Sequence, residues 1–414
     1  MNEAKQKFRL TSLERAWILY DVGNSAFVLL VATLIPIFFN ALAEGGGLSS
    51  VEYLAYWGYA ASAVTVITAV LSPILGTLAD TRNFKKPIFT FCVAVGVIGC
   101  CAMGMASAWL PFLLIFIFAK VGFSGSLVFY DSMLSDVTVP DRMDEVSSKG
   151  YAWGYIGSCV PFVVCLALVL GAGSIGISQM TALNLALFLT AAWWLVTTLP
   201  LLRQYKQVHF VEVREHAIRQ SFARIGHTLR HLKEDRQVFW FLLAFFCYID
   251  GVYTIIDMAT AYGTALGLDT TGLLLALLVT QIVAFPSALV FGRLSGQYPS
   301  GTLIPVCIAA YAGIALFAFF LKHQWQFWVL AVVVGMFQGG IQALSRSHFA
   351  KIIPPEKSGE YFGLFDICGK GASFLGTMIV SVGSQLTGSA NVGVGSLIVL
   401  FIVGFVLFRV SDQK

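Results

Sequence analysis

Charge is what this sequence lacks most. Asp, Glu, Lys and Arg together make up 12% of its 414 residues, where a soluble globular chain carries about a quarter. With 57% hydrophobic residues and a mean hydropathy of +0.80, a soluble globular protein is excluded. The eight cysteines (Cys92, Cys100, Cys101, Cys159, Cys165, Cys247, Cys307 and Cys368) form no C-x-x-C pair and all fall in apolar runs. That excludes a zinc ribbon or a redox pair and leaves small buried hydrophobes. His227 and His231 stand one helical turn apart without a third ligand nearby, so no metal site is expected. Neither H-E-x-x-H nor G-x-S-x-G occurs. The stretch "GLFDICGKGAS" at 363–373 is one residue too long between its Gly and its Gly-Lys to be a phosphate loop, and Gly371 replaces the Ser or Thr. No enzyme, no cofactor and no nucleic-acid partner are expected, and the formal charge of +4 is informative only through its distribution.

What is present is a series of apolar runs of roughly 20 residues or more, each able to cross the ~30 Å hydrocarbon layer of a bilayer. They fall at 17–43, 53–79, 87–107, 109–134, 149–171, 179–202, 237–262, 271–294, 301–321, 325–345, 359–387 and 391–409. The fold class is therefore an all-α polytopic membrane protein of about twelve transmembrane helices; continuous rather than alternating apolar runs exclude a β-barrel. The first run, interrupted by Asp21, exceeds the 7–15 residues or so of a signal core, so "ALA" at 41–43 is not expected to be cleaved. With the N-terminus inside, 23 of the 26 Lys and Arg residues fall on the inner side, all but Lys120, Lys322 and Lys370. Such asymmetry predicts that both termini are cytoplasmic. Residues 203–236 divide a first six-helix bundle (1–202) from a second (237–414). Within them Ile218, Phe222, Ile225, Leu229 and Leu232 recur at helical steps, with Arg219, Arg224, Arg230 and Lys233 off that stripe. That pattern predicts an amphipathic helix on the inner membrane surface.

The halves echo each other. "GTLAD" at 76–80 ends the second span and "GRLSG" at 292–296 the eighth; "VPDRMDE" precedes the fifth and "IPPEKSGE" the eleventh. Repeated six-span halves with a binding site between them near mid-membrane are the signature of many secondary transporters. "GTLADTRNFKK" resembles the loop motif of the major facilitator superfamily, through Gly76, Asp80, Arg82, Lys85 and Lys86. Asn83, Phe84 and, in the second copy, Gly296 depart from it. That resemblance implies a major facilitator fold of two pseudo-symmetric bundles, with Asp80 latching a cytoplasmic gate near the start of the eleventh helix. A carboxylate suits a helix N-terminus. Lys85 and Lys86 are also accounted for as topology-fixing charges. "LYDVGNSAF", "FYDSMLSDV", "GYAWGYIGS", "YIDGVYTIIDMATAYG", "QGGIQALSRSHFAKIIP" and "YFGLFDICGKGASFLG", in that order along the chain, are similar to the vacuole effluxer family. The family includes autophagy-related vacuolar amino-acid exporters and bacterial relatives. The likeness implies transport of amino acids or similar solutes, and the short termini suit a bacterial inner membrane.

Ionisable groups inside spans cost about 2.5–3.5 kcal/mol each and mark pathways or partners. Asp21 with Asn24, Lys120 with Asp131, Asp250 with Asp257, Gln338 with Gln342 and Arg346, and Asp366 with Lys370 lie on polar stripes of five helices. They are the substrate and coupling candidates. Gly76, Asp80, Arg82 and Arg346 are the candidates for a cytoplasmic gate. Asp366 and Lys370, one turn apart, also suit a structural pair. A zwitterion needs a cation (Lys120 or Lys370) for its carboxylate and an anion (Asp250 or Asp21) for its ammonium. Asp250 or Asp257 is the candidate proton carrier. The expectation is a monomeric secondary transporter in the lipid bilayer, moving a small solute by alternating access, with protons as coupling ion. The alternatives are an exporter of drug-like compounds or a non-transporting receptor or scaffold on the same fold.

Overall fold

The computed structural model describes residues 9–212, 230, 232 and 234–412. Within helices, some side chains, among them those of 370–374, also lie outside the description. So do the expected amphipathic helix over 213–229 and both His227 and His231.

The described residues are almost all helical. The helices are α1 (Ser12–Ala32), α2 (Leu34–Gly45), α3 (Ser50–Ala79), α4 (Lys85–Met105), α5 (Trp109–Ser132), α6 (Leu134–Val137), α7 (Pro140–Leu170), α8 (Gln179–Gln204), α9 (Arg236–Ala265), α10 (Thr270–Leu294), α11 (Ser300–Phe319), α12 (Gln324–Ile352), α13 (Ser358–Thr387), α14 (Ala390–Gly395) and α15 (Ile398–Asp412). Eleven segments have the length and hydropathy to cross a membrane, counting α1–α2 and α14–α15 as one each. α13, 30 residues long, makes the twelfth. The protein is an integral, multi-pass membrane protein.

The first span is two helices because Pro36 lacks an N–H and its ring conflicts with the carbonyl four residues earlier, at Ala32, where α1 ends. Two helices run well past the apolar limits visible in the sequence. α7 starts nine residues early, with Pro140 in its first turn and Asp141 beside it. Both favour a helix start, so the polar "PDRMDE" is helix rather than loop. α12 continues through Ile352 because its charges find partners: Arg346 as described below, Lys351 Nζ on Asp144 Oδ2 at 2.5 Å, and His348 Nδ1 beside Ser300 Oγ at 3.0 Å. Pro354 then stops it through extended Ile353.

Within the first six spans α1 packs on α7 and α8, and α4 on α5 and α8; within the second, α10 packs on α12, and α9 on α13 and α15. Between the sets the main contacts are α3 with α13 and α7 with α10, followed by α7 with α12 and α5 with α13. These first two crossings are spans 2 with 11 and 5 with 8, which the six-span repeat interchanges. Chain duplication thus gives two equivalent seams.

Candidate functional site

The seam between α3 and α13 closes without side chains. A Cβ on Gly76 would collide with the Gly359 carbonyl, and one on Gly359 with the carbonyl of Gly76. Small residues allow such backbone contact between membrane helices. Asp80, the C-cap of α3, then meets the first turn of α13. The N–H groups of Gly359 and Glu360 donate to its Oδ1 and Oδ2 at 2.7 and 2.8 Å. These are two of the donors that a helix start leaves unsatisfied, and the positive end of the helix favours the carboxylate.

Behind Asp80 lies a fully buried lysine. Lys85 Nζ donates to Ser358 Oγ at 2.8 Å and stands 3.8 Å from Asp80 Oδ1 and 3.7 Å from Asp136 Oδ2. Asp136 is in turn held by the chain that leaves α8. Tyr205 donates its hydroxyl to Oδ2 at 2.6 Å, while the His209 N–H (2.9 Å) and ring Nδ1 (3.0 Å) contact Oδ1. The same segment donates the Val211 N–H to the Asp80 carbonyl at 2.8 Å. Arg82 points away from the seam, to Glu212 at 3.1 Å and over the Phe210 ring, both charges exposed. Such a pair contributes at most about 1 kcal/mol. Sequence reasoning overlooked Asp136, Tyr205 and His209 and treated Lys85 as a topology charge. Asp136 looks like an ordinary loop acid, and Lys85 differs from Lys86 only in where the chain turns.

A second cross-seam contact is centred on Arg346 of α12, which is 2% exposed. Its Nη1 lies 3.0 Å from Asp131 Oδ1 on α5 and 3.6 Å from Asp21 Oδ2 on α1. Nε donates to Ser147 Oγ (2.9 Å) and Nη2 to the Ser147 carbonyl (3.0 Å) on α7. The guanidinium lies against the rings of Tyr151 (4.3 Å), Trp17 (4.7 Å) and Tyr130 (5.3 Å). Asn24 is buried one turn along from Asp21. Gln342 accepts the Tyr155 hydroxyl across the seam at 3.2 Å.

The remaining candidates separate into two groups. Lys120 on α5 is half-buried, with Nζ over the Phe123 ring at 4.7 Å. It interacts electrostatically with Asp257 on α9, which is exposed although it sits well inside a long apolar helix. Asp366 on α13 is half-buried, accepts the Ser72 hydroxyl of α3 at 2.7 Å and feels Asp131 electrostatically. Lys120 thus comes from the first half and Asp257 and Asp366 from the second.

Asp250, expected on that passage, is instead fully buried between α9 and α13. Gly376 N–H donates to its Oδ1 at 2.9 Å, and its Oδ2 is buried without a hydrogen-bond partner. The reason is local: Gly376 has no side chain, so α13 closes onto α9 at that level. Gln338 is also buried and lines a cavity of about 60 Å³ inside the second half, beside Thr254, Thr280 and Gln281. The Lys370 side chain lies outside the described residues, so its pairing with Asp366 does too.

Two six-span sets meeting at two seams that the repeat interchanges have the architecture of a major facilitator transporter rather than an enzyme. Solved structures carry the same fold. The human organic anion transporter MFSD10 (TETRAN) matches with a TM-score of 0.72 at 14% identity, over 96% of this chain and 98% of that one. The transporter FucP in its outward conformation matches at 0.73 and 16%, over 97% and 98%. The chain belongs to the vacuole effluxer Atg22-like family, whose model matches residues 12–141 and 135–414. An uncharacterized MFS-type transporter, YxiO of Bacillus subtilis (strain 168), is 42% identical over 98% of this chain and 96% of its own length. Autophagy-related protein 22 of Coccidioides immitis (strain RS) is 25% identical over 65% of this chain, which spans 51% of that longer protein.

Proposed function

We propose that the protein exports an amino acid or related zwitterion across a bacterial cytoplasmic membrane by alternating access, as a monomer and coupled to protons. The observation that carries this reading is that Lys120 of one half lies within electrostatic reach of Asp257 of the other. One half offers a cation to a carboxylate, the other an anion to an ammonium, and a solute bearing both must engage both halves. A drug-like cargo would suit an aromatic cavity with one sign of charge, and a scaffold would have no use for the pair. The end sealed by Asp80 and Arg346 is the inner one if the basic loops face the cytoplasm, and the Bacillus relative supports a bacterial membrane. Asp257, exposed on α9, is the proposed proton carrier. Asp250, buried between α9 and α13, is the weaker candidate.

The test begins with a panel of solutes screened for stabilisation of purified protein, followed by flux of each hit in proteoliposomes. Lys120→Gln and Asp257→Asn are each expected to lower flux by about tenfold or more, the loss of one charge-assisted contact. Asp257→Asn should also abolish the response to an imposed pH gradient. Unchanged coupling in both Asp250→Asn and Asp257→Asn proteins removes both acids from that role.

A further inference from the structure

The surroundings of Arg346 come almost entirely from the opposite half of the protein. Trp17 and Asp21 stand on α1, Tyr130 and Asp131 on α5, and Ser147 and Tyr151 on α7, whereas Arg346 is inserted from α12. Two carboxylates, three aromatic rings and a backbone carbonyl thus form a ready-made cation receptor within one bundle. Gly150 leaves it room: a Cβ there would press on Asp21 Oδ2, Arg346 Nη2 and the Trp17 ring, all within 3.0–3.1 Å. The receptor is also incompletely used. Asp21 Oδ2 is buried and accepts no hydrogen bond of ordinary length, the guanidinium approaching only to 3.6 Å.

Alternating access moves one bundle against the other, and Arg346 travels with its own. Its departure leaves two carboxylates in an aromatic pocket with no counter-charge, a strongly unfavourable state inside a membrane. A replacement cation removes that penalty. Aromatic faces favour a large, weakly hydrated organic cation over Na⁺ or K⁺, and an alkylammonium is compact enough to reach the oxygen that the guanidinium misses. Asp131 is half-buried, with about a fifth of its side chain exposed, so the pocket is not sealed on every side.

We propose that Trp17, Asp21, Tyr130, Asp131 and Tyr151 form a binding site for an organic ammonium group, filled by Arg346 when the seam is closed and by ligand when it opens. Arg346 is then a tethered competitor, and occupancy by ligand favours the open seam. The proposal rests on the carrier reading above but does not depend on the cargo being an amino acid.

The experiment follows the seam directly. Val139 and Tyr298, both exposed, are replaced by spin-labelled cysteines in a background lacking the eight native ones, and their separation is measured by double electron–electron resonance. Methylammonium chloride is expected to shift the distances to longer values, whereas equal NaCl, KCl or sodium acetate leaves them in place. Asp131→Asn and Trp17→Leu should each raise the methylammonium concentration required by about tenfold or more. Arg346→Ala should populate the long distance without ligand. If Arg346→Ala opens the seam but methylammonium does nothing to the unmodified site, the pocket is only a lock and the ammonium site is refuted while the carrier stands. A shift produced equally by Na⁺ or K⁺, or untouched by Asp131→Asn and Trp17→Leu, also refutes it. If no condition lengthens the distance, both readings fall.

Discussion

Lys85→Met is expected to be the most destabilising single change outside the hydrophobic core. The ammonium is fully enclosed, shared by Asp80, Asp136 and Ser358. Removing it leaves two buried acids facing each other with no cation between them, and breaking a buried ionic group in this way costs about 3–5 kcal/mol. Thermal unfolding of the detergent-purified protein should fall by several degrees, whereas Lys86→Met, one residue on, should change little. Similar melting of the two variants would mean that Lys85 only fixes topology. The comparison is sharp because both residues stand side by side at the start of α4 and contribute equally to orientation.

Gly359→Leu should jam the molecule open at its sealed end. The added Cβ meets the Gly76 carbonyl, which is helix backbone and cannot turn aside. Overpacking of this kind costs about 1–3 kcal/mol, equivalent to roughly a five- to 150-fold loss of the closed population. In the spin-label assay the variant should show the longer Val139–Tyr298 separation without any ligand. The contacts within each half are untouched, so expression and melting should stay close to those of the parent protein. An unchanged distance would show that the seam between α3 and α13 need not close so tightly.

Which features were legible in the sequence follows from the solvent. Lipid demands continuous apolar helices, so the twelve spans and their duplication could be read directly, and the Gly76–Asp80 stretch pointed to a seam. The helix ends could not, because "PDRMDE" and "SRSHFAKI" look like loops until Asp141, Lys351 and Arg346 are seen beside a helix start or a partner. The site was legible by composition but not by depth. Asp250 and Asp257 share one face of α9, separated by two turns. Only the second is exposed, because Gly376 lets α13 close over the first. Nothing within α9 announces a missing side chain on another helix 126 residues away. Arg346 was placed near the seam, but its aromatic surroundings come from three helices of the other half and leave no local pattern.

The chain between the halves acquires a particular meaning from residues 205–212. Tyr205 and His209 grip Asp136, Val211 bonds the Asp80 carbonyl, and Glu212 meets Arg82. The leash joining the bundles is therefore anchored at Glu212, not at the end of α8. Inserting or deleting residues upstream of that anchor edits the lock itself, so two engineered chains of equal overall length can differ in how readily the gate swings.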